Sequence, residues 1–268
     1  MGANNRFSLK DGSLFFESTG VGEAVVFLHG FGLDCRMWAP QFEDFRSKYQ
    51  VIRYDLRGFG RSSLPPQAAY SHEDDLNALL SDLGTGPVHV VGLSMGGRMA
   101  LRFAAAYPQS VRSLVLADSA LDGQTWSSDW QTRWKGMCDA AKAGRLADAK
   151  RQWLEHPLFE SARADGSSAN LLARMVDDYS GWHWCNGDTA RVPSPPLAER
   201  LSEVRTPSLI VTGAHDIQDF QSVAKTLEAG LPATRRIVIQ GSGHMVNLER
   251  PRDFNAALLT FWRAVTSG

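Results

Sequence analysis

Apolar positions in this chain fall into two patterns. Short unbroken runs occur at Ala24–Leu28, Val51–Tyr54, Val88–Val91, Ser113–Ala117, Ser208–Thr212 and Arg236–Ile239. Runs of this length suit strands covered on both faces, as in a parallel sheet. Between most of them apolar residues recur at helical spacing, predicting helices over about residues 36–48, 72–83, 95–107, 219–229 and 252–265. The alternation predicts an α/β fold. Ahead of it, residues 6–18 read as a hairpin turning at Asp11-Gly12, which would add antiparallel strands at the sheet edge.

One stretch interrupts the rhythm. Residues 121–196 offer no strand pattern and carry six tryptophans, at 126, 130, 134, 153, 182 and 184, before the Pro-rich close Pro193-Ser-Pro-Pro196. The pattern predicts a core made of residues 1–120 and 197–268, and a helical lid inserted as residues 121–196. Such an insertion lies over the carboxyl ends of the strands, where open α/β sheets bind ligands. Trp126, Trp130 and Trp134 recur every four residues and share one helical face. Packing accounts for that face, with a ring still free to line a pocket. Trp130, Tyr179, Trp182, Trp184 and Met245 are the candidate substrate contacts.

Composition narrows the classes. With 28 Lys and Arg against 29 Asp and Glu, the net charge of −1 gives no attraction to nucleic acid or to an anionic membrane. No apolar run approaches the roughly 18 residues needed to span a bilayer. Met1–Lys10 is polar and lacks the apolar centre of a secretory leader. Cys35, Cys138 and Cys185 are odd in number and widely spaced, with no CxxC pair, so neither a zinc site nor a disulfide framework is expected, and a cytoplasmic location is.

The chemistry centres on Gly92-Leu-Ser94-Met-Gly96, set between a strand and a helix. A nucleophile must stand on a sharp strand-to-helix turn, and the flanking glycines leave room where a Cβ would clash. Ser94 needs a base that follows it in the chain on a late loop. Of the seven histidines, His244 in Gly241-Ser-Gly-His meets that condition. His29 reads as a brace for its loop, His89 as a core residue and His215 as structural; His183, in the lid, reads as packing with substrate contact as the alternative. The order Ser…Asp…His selects Asp216, in Gly213-Ala-His-Asp216, to orient His244. Asp219, expected to cap the next helix, and Asp118 are the alternatives. Two backbone amides must hold the oxyanion: Met95, after the nucleophile, and Phe31, in His29-Gly-Phe-Gly32.

These segments, together with Asp55-Leu-Arg-Gly-Phe-Gly-Arg-Ser62 and Gly243-His-Met-Val-Asn-Leu-Glu-Arg-Pro251, resemble the α/β-hydrolase superfamily. Within it the likeness is to small bacterial serine carboxylesterases, enol-lactonases and carbon–carbon bond hydrolases. The resemblance covers about residues 20–120 and 200–265. It implies a mostly parallel twisted sheet flanked by helices, and a serine hydrolase that needs no metal or organic cofactor. Ser at position 94 argues against the Asp-nucleophile members, the epoxide hydrolases and haloalkane dehalogenases. The lid has no dense basic cluster, so a highly anionic substrate is not favoured, and the expected substrate is a medium-sized, mostly apolar ester or lactone. Carbon–carbon bond hydrolysis, cofactor-free perhydrolysis and a ligand receptor with a residual triad are the alternatives.

Overall fold

A computed structural model describes residues 5–266; the reading at Met1–Asn4 falls outside them. The strands are β1 (Arg6–Leu9), β2 (Gly12–Thr19), β3 (Glu23–Leu28), β4 (Tyr49–Tyr54), β5 (Val88–Leu93), β6 (Val111–Ala117), β7 (Ser208–Gly213) and β8 (Thr234–Ile239). They form one sheet in the order β1-β2-β4-β3-β5-β6-β7-β8. β1 and β2 are the expected hairpin, paired antiparallel from Arg6↔Phe15 to Leu9↔Gly12, and β2 runs antiparallel to β4. The remaining pairings are parallel.

Burial follows from position in that order. Every residue of β5 and β7 is buried, as continuous apolar runs at the centre of a two-faced sheet require. β8 is at the edge, where Arg235 and Arg236 interrupt the apolar run; charge on an edge strand discourages pairing with another chain.

Helices α1 (Ala39–Phe45), α2 (His72–Asp82) and α3 (Met95–Ala106) precede β6. The helix expected over 36–48 is split: Asp34 caps a 3-10 turn at Cys35–Trp38, and α1 starts afresh with Pro40 in its first turn. A proline there costs no helical hydrogen bond. Between β6 and β7 lie α4 (Ser128–Lys142), α5 (Leu146–Leu154), α6 (Glu160–Ala164), α7 (Gly166–Asp178) and α8 (Trp182–Cys185). This segment holds no strand among the described residues. Helices α9 (Gln218–Gly230), α10 (Val246–Glu249) and α11 (Pro251–Thr266) complete the chain. None of the described helices is long and apolar enough to cross a membrane.

The strand order creates the site. From β3 the chain moves to β4 on one side, and from β5 to β6 on the other. The loops leaving β3 and β5 therefore diverge, opening a crevice at the carboxyl ends of these neighbouring strands. Phe31 lies on the first loop and Ser94 on the second.

Candidate active site

Ser94 occupies the turn between β5 and α3 with φ 57° and ψ −118°, a region that few residues other than glycine adopt. Its amide donates to the Ala117 carbonyl at 3.0 Å, and its carbonyl accepts from the amides of Arg98 and Ala120. A Cβ on Gly92 would sit 2.2 Å from the Gly96 carbonyl oxygen, and one on Gly96 would sit 2.1 Å from that of Leu28. The glycines thus let α3 press against both its own strand and the end of β3.

His244 is buried on the loop between β8 and α10, its ring against Phe220 at 4.3 Å between centroids. Its Nδ1 lies 2.9 Å from Asp216 Oδ2. Asp216 Oδ1 accepts the Ile217 amide, so the carboxylate is held from two directions. Donation from Nδ1 to Asp216 leaves Nε2 as the basic nitrogen, and Nε2 is buried with no hydrogen-bond partner. Sequence reasoning assigned no role to Glu249, which straps this loop. It accepts from the amides of Gly243 at 2.6 Å and Met245 at 3.0 Å, and from the Ser161 hydroxyl on α6. The signal available was a carboxylate five residues after His244.

The two alternative acids have other tasks. Asp219 does not cap α9, whose N-cap is Ile217 with no side-chain bond. Instead it accepts from the Ser127 amide at 2.9 Å and hydroxyl at 2.7 Å, tying the start of α4 to α9. Asp118, at φ 37° after β6, accepts the Gly213 amide through Oδ1 at 3.0 Å. Its ligating atom lies within 4.8 Å of those of Asp216 and His244. Burial, then the negative charge of Asp216, raises its pKa well above the usual carboxylate range. An ionised Asp118 would leave Oδ2 buried with no donor. A protonated one donates to Asp216, the arrangement expected of two buried carboxyls in contact.

Neither acid-rich cluster has the free ligands of a metal site. At Asp34, Cys35 and Asp55, the Asp55 oxygens accept the amides of Cys35 and Arg61, and burial pushes the Cys35 thiol up, away from the ligating thiolate. At Asp118, Asp216 and His244, His244 Nδ1 is taken by Asp216 and Asp118 Oδ1 by the Gly213 amide.

Next to Ser94 is a cavity of about 520 Å³. The Phe31 and Met95 residues line it, and among the described residues neither amide is taken up by a backbone acceptor. One wall is aromatic: Trp126, Trp130, Trp134, Trp153 and Phe220. Trp126 and Trp130 stack at 4.6 Å, and Trp134 packs edge-on to Phe31 at 4.9 Å. The lining also includes the polar side chains of Arg98, Arg102, His72, His183 and Asp188.

Of the candidate substrate contacts, only Trp130 lines the cavity. On the single turn of α8, successive side chains diverge by about 100°. His183 faces inward, so Trp182 and Trp184 point elsewhere: Trp182 sits half-buried behind the imidazole and Trp184 is buried against Tyr179. Tyr179 is buried behind His183, with its hydroxyl 3.0 Å from Nδ1. Met245 is fully buried beneath the loop. Arg98 and His183 replace these four as polar wall residues. The cue was the helical spacing of Arg98, four residues beyond Ser94.

His29 and His89 sit as read. His29 donates from Nδ1 to the Gly30 carbonyl and accepts the Leu56 amide at Nε2, bracing the Phe31 loop. Burial lowers its pKa, consistent with a neutral ring. His89 is fully buried, bonded to Ser113, with its pKa lowered to about 4 by burial. His215 is exposed.

Comparison with known proteins agrees with this geometry. The family model for the alpha/beta hydrolase fold matches residues 23–251. The chain is 27% identical over 235 residues to 3-oxoadipate enol-lactonase 1 of Acinetobacter baylyi, covering 86% of this chain and 85% of that protein. It is 28% identical to a 2-hydroxy-6-oxononadienedioate/2-hydroxy-6-oxononatrienedioate hydrolase of Burkholderia vietnamiensis, over 92% of this chain and 90% of the relative. A thermophilic esterase from Thermogutta terrifontis superposes with a TM-score of 0.78 at 25% identity, covering 95% and 94% of the two chains. With its elbow, its eight-stranded sheet and a match along most of its length, the chain belongs to the α/β-hydrolase fold family.

Proposed function

We propose that this chain is a serine hydrolase that cleaves a carboxylic ester or lactone of medium size through an acyl-enzyme. The observation that carries the reading is the 2.9 Å contact of His244 Nδ1 with Asp216, together with a serine held at positive φ on a strand-to-helix turn. Ser94 Oγ attacks the carbonyl carbon while His244 Nε2 takes its proton. Asp216 keeps the imidazole in the tautomer that leaves Nε2 basic and stabilises the imidazolium. The Phe31 and Met95 amides hold the oxyanion. His244 then protonates the leaving alkoxide, and water attacks the acyl-enzyme with His244 as base. These residues need no metal or organic cofactor for that sequence.

In this reading residues 1–120 and 197–268 carry the chemistry, and residues 121–196 form the lid that shapes the pocket. The aromatic wall supports an acyl or alcohol group with substantial apolar surface. Three free cysteines support a reducing, cytoplasmic setting. Hydrolysis of p-nitrophenyl butyrate tests the proposal. The wild type should turn it over, and Ser94→Ala should lose all but a trace of that activity; undiminished turnover in the variant would refute it.

A further inference from the structure

The lid sequence disfavours a highly anionic substrate, yet the cavity also draws charged residues from α3. Arg102 is neutralised: Nε donates to Asp122 Oδ2 at 2.6 Å while Nη2 bonds the other oxygen, and Nη1 lies 3.9 Å from Glu73. Arg98 is different. Its nearest carboxylate is Asp122, 3.9 Å from Nε and already engaged by Arg102. Nε is buried without a hydrogen-bond partner, and the side chain lines the cavity. Burial and the like charge of Arg102 both work against the Arg98 cation. The acid across the cavity, Asp188, has Oδ1 engaged by the Tyr70 hydroxyl and the Ala190 amide.

His183 supplies a second free donor. The Tyr179 hydroxyl accepts the His183 amide at 3.1 Å and lies 3.0 Å from Nδ1. Tyr179 is buried, so its own proton needs an acceptor, and Nδ1 is the one in reach. Burial lowers the His183 pKa to about 4, so the ring is neutral and its proton sits on Nε2. That nitrogen is buried and unpartnered, 3.9 Å from Asp188 and too far for a hydrogen bond.

A guanidinium whose Nε has no hydrogen-bond partner and a neutral N–H donor, on two residues lining one cavity, suit a carboxylate. The Arg98 amide bonds the Ser94 carbonyl, so Arg98 stands one helical turn beyond the nucleophile. We infer that the substrate is an ester or lactone bearing a carboxylate, held by Arg98 and His183 in the Ser94 cavity. The inference rests on the hydrolase reading for the word substrate, and on the cavity alone for the carboxylate.

Two measurements separate those claims. The first needs no turnover: 5-phenylpentanoate and its neutral analogue 5-phenylpentanamide are titrated into the protein, with binding read from the fluorescence of the cavity tryptophans. The acid should bind about 10- to 100-fold tighter, the worth of one charge-assisted contact. Arg98→Met should bring the ratio near one and Arg98→Lys should restore part of it, with melting temperatures checking the fold. Equal affinities in the wild type, or a preference that survives Arg98→Met, overturn the inference. The second measurement compares kcat/KM for monoethyl adipate and ethyl hexanoate. A preference for the charged ester supports the inference, and equal values overturn it even if the acid binds. Carboxylate-selective binding with neither ester hydrolysed sinks the esterase reading and leaves the anion site standing.

Discussion

Asp118→Asn probes the electrostatics around His244, the proposed base. If Asp118 is a neutral carboxylic acid, an asparagine copies it: Oδ1 still accepts the Gly213 amide, and Nδ2 donates to Asp216 in place of the carboxyl proton. Asparagine also tolerates the φ of 37°. Activity should therefore stay within a few-fold of wild type. Stability should change with pH in a defined sense. The folded pKa is raised, so the native state holds a proton that the unfolded chain releases above about pH 4. Stability linked to Asp118 is thus full below that value and is lost as pH rises towards the folded pKa, at about 1.4 kcal/mol per pH unit. Asparagine has no such proton. The variant should gain on the wild type as pH rises, by roughly 3 °C in melting temperature per unit. Thermal midpoints for both proteins from pH 5 to pH 8 provide the test. A constant difference across that range would mean Asp118 is ionised in the fold. Loss of activity in a folded Asp118→Asn variant would make Asp118, rather than Asp216, the acid that orients His244.

Two further outcomes follow from the site. Asp216→Asn should cost on the order of 10³- to 10⁴-fold in kcat, because the amide no longer enforces the Nδ1–H tautomer, whereas Asp219→Asn should cost less than tenfold, since it only loosens the tie to Ser127; steady-state kinetics on both variants decides. Trp130→Ala should shift the preference between short and long acyl esters by about 1–3 kcal/mol in kcat/KM ratio. Trp184→Ala, buried off the cavity, should lower the melting temperature and leave that profile unchanged.

The strands were legible because each is a short apolar run ended by a polar or glycine turn, and burial on both faces leaves no alternation to confuse the pattern. The positions of Ser94, Asp216 and His244 were legible because each lies on the loop that leaves a strand, Ser94 directly after β5, Asp216 three residues after β7 and His244 five residues after β8. What escaped was whatever depends on how a helix is rotated. Trp182-His-Trp184 reads as two aromatic candidates around a histidine, yet the docking of one helical turn puts His183 at the cavity and both tryptophans behind it. Arg98 was hidden for a related reason. The lid sequence carries no dense basic cluster, whereas Arg98 stands on α3, in the core. Glu249 acts through backbone amides, which carry no residue-type signal, so its strap on the His244 loop appears only in three dimensions.

The central claim is that Ser94 is the nucleophile, activated by His244. Incubation with a small fluorophosphonate, followed by intact-mass and peptide mass spectrometry, tests it without any assumption about substrate. The account predicts one adduct per chain, located on Ser94, with labelling slowed at least a hundredfold in His244→Ala and absent in Ser94→Ala. An adduct on another residue, or equal labelling rates in wild type and His244→Ala, would contradict it.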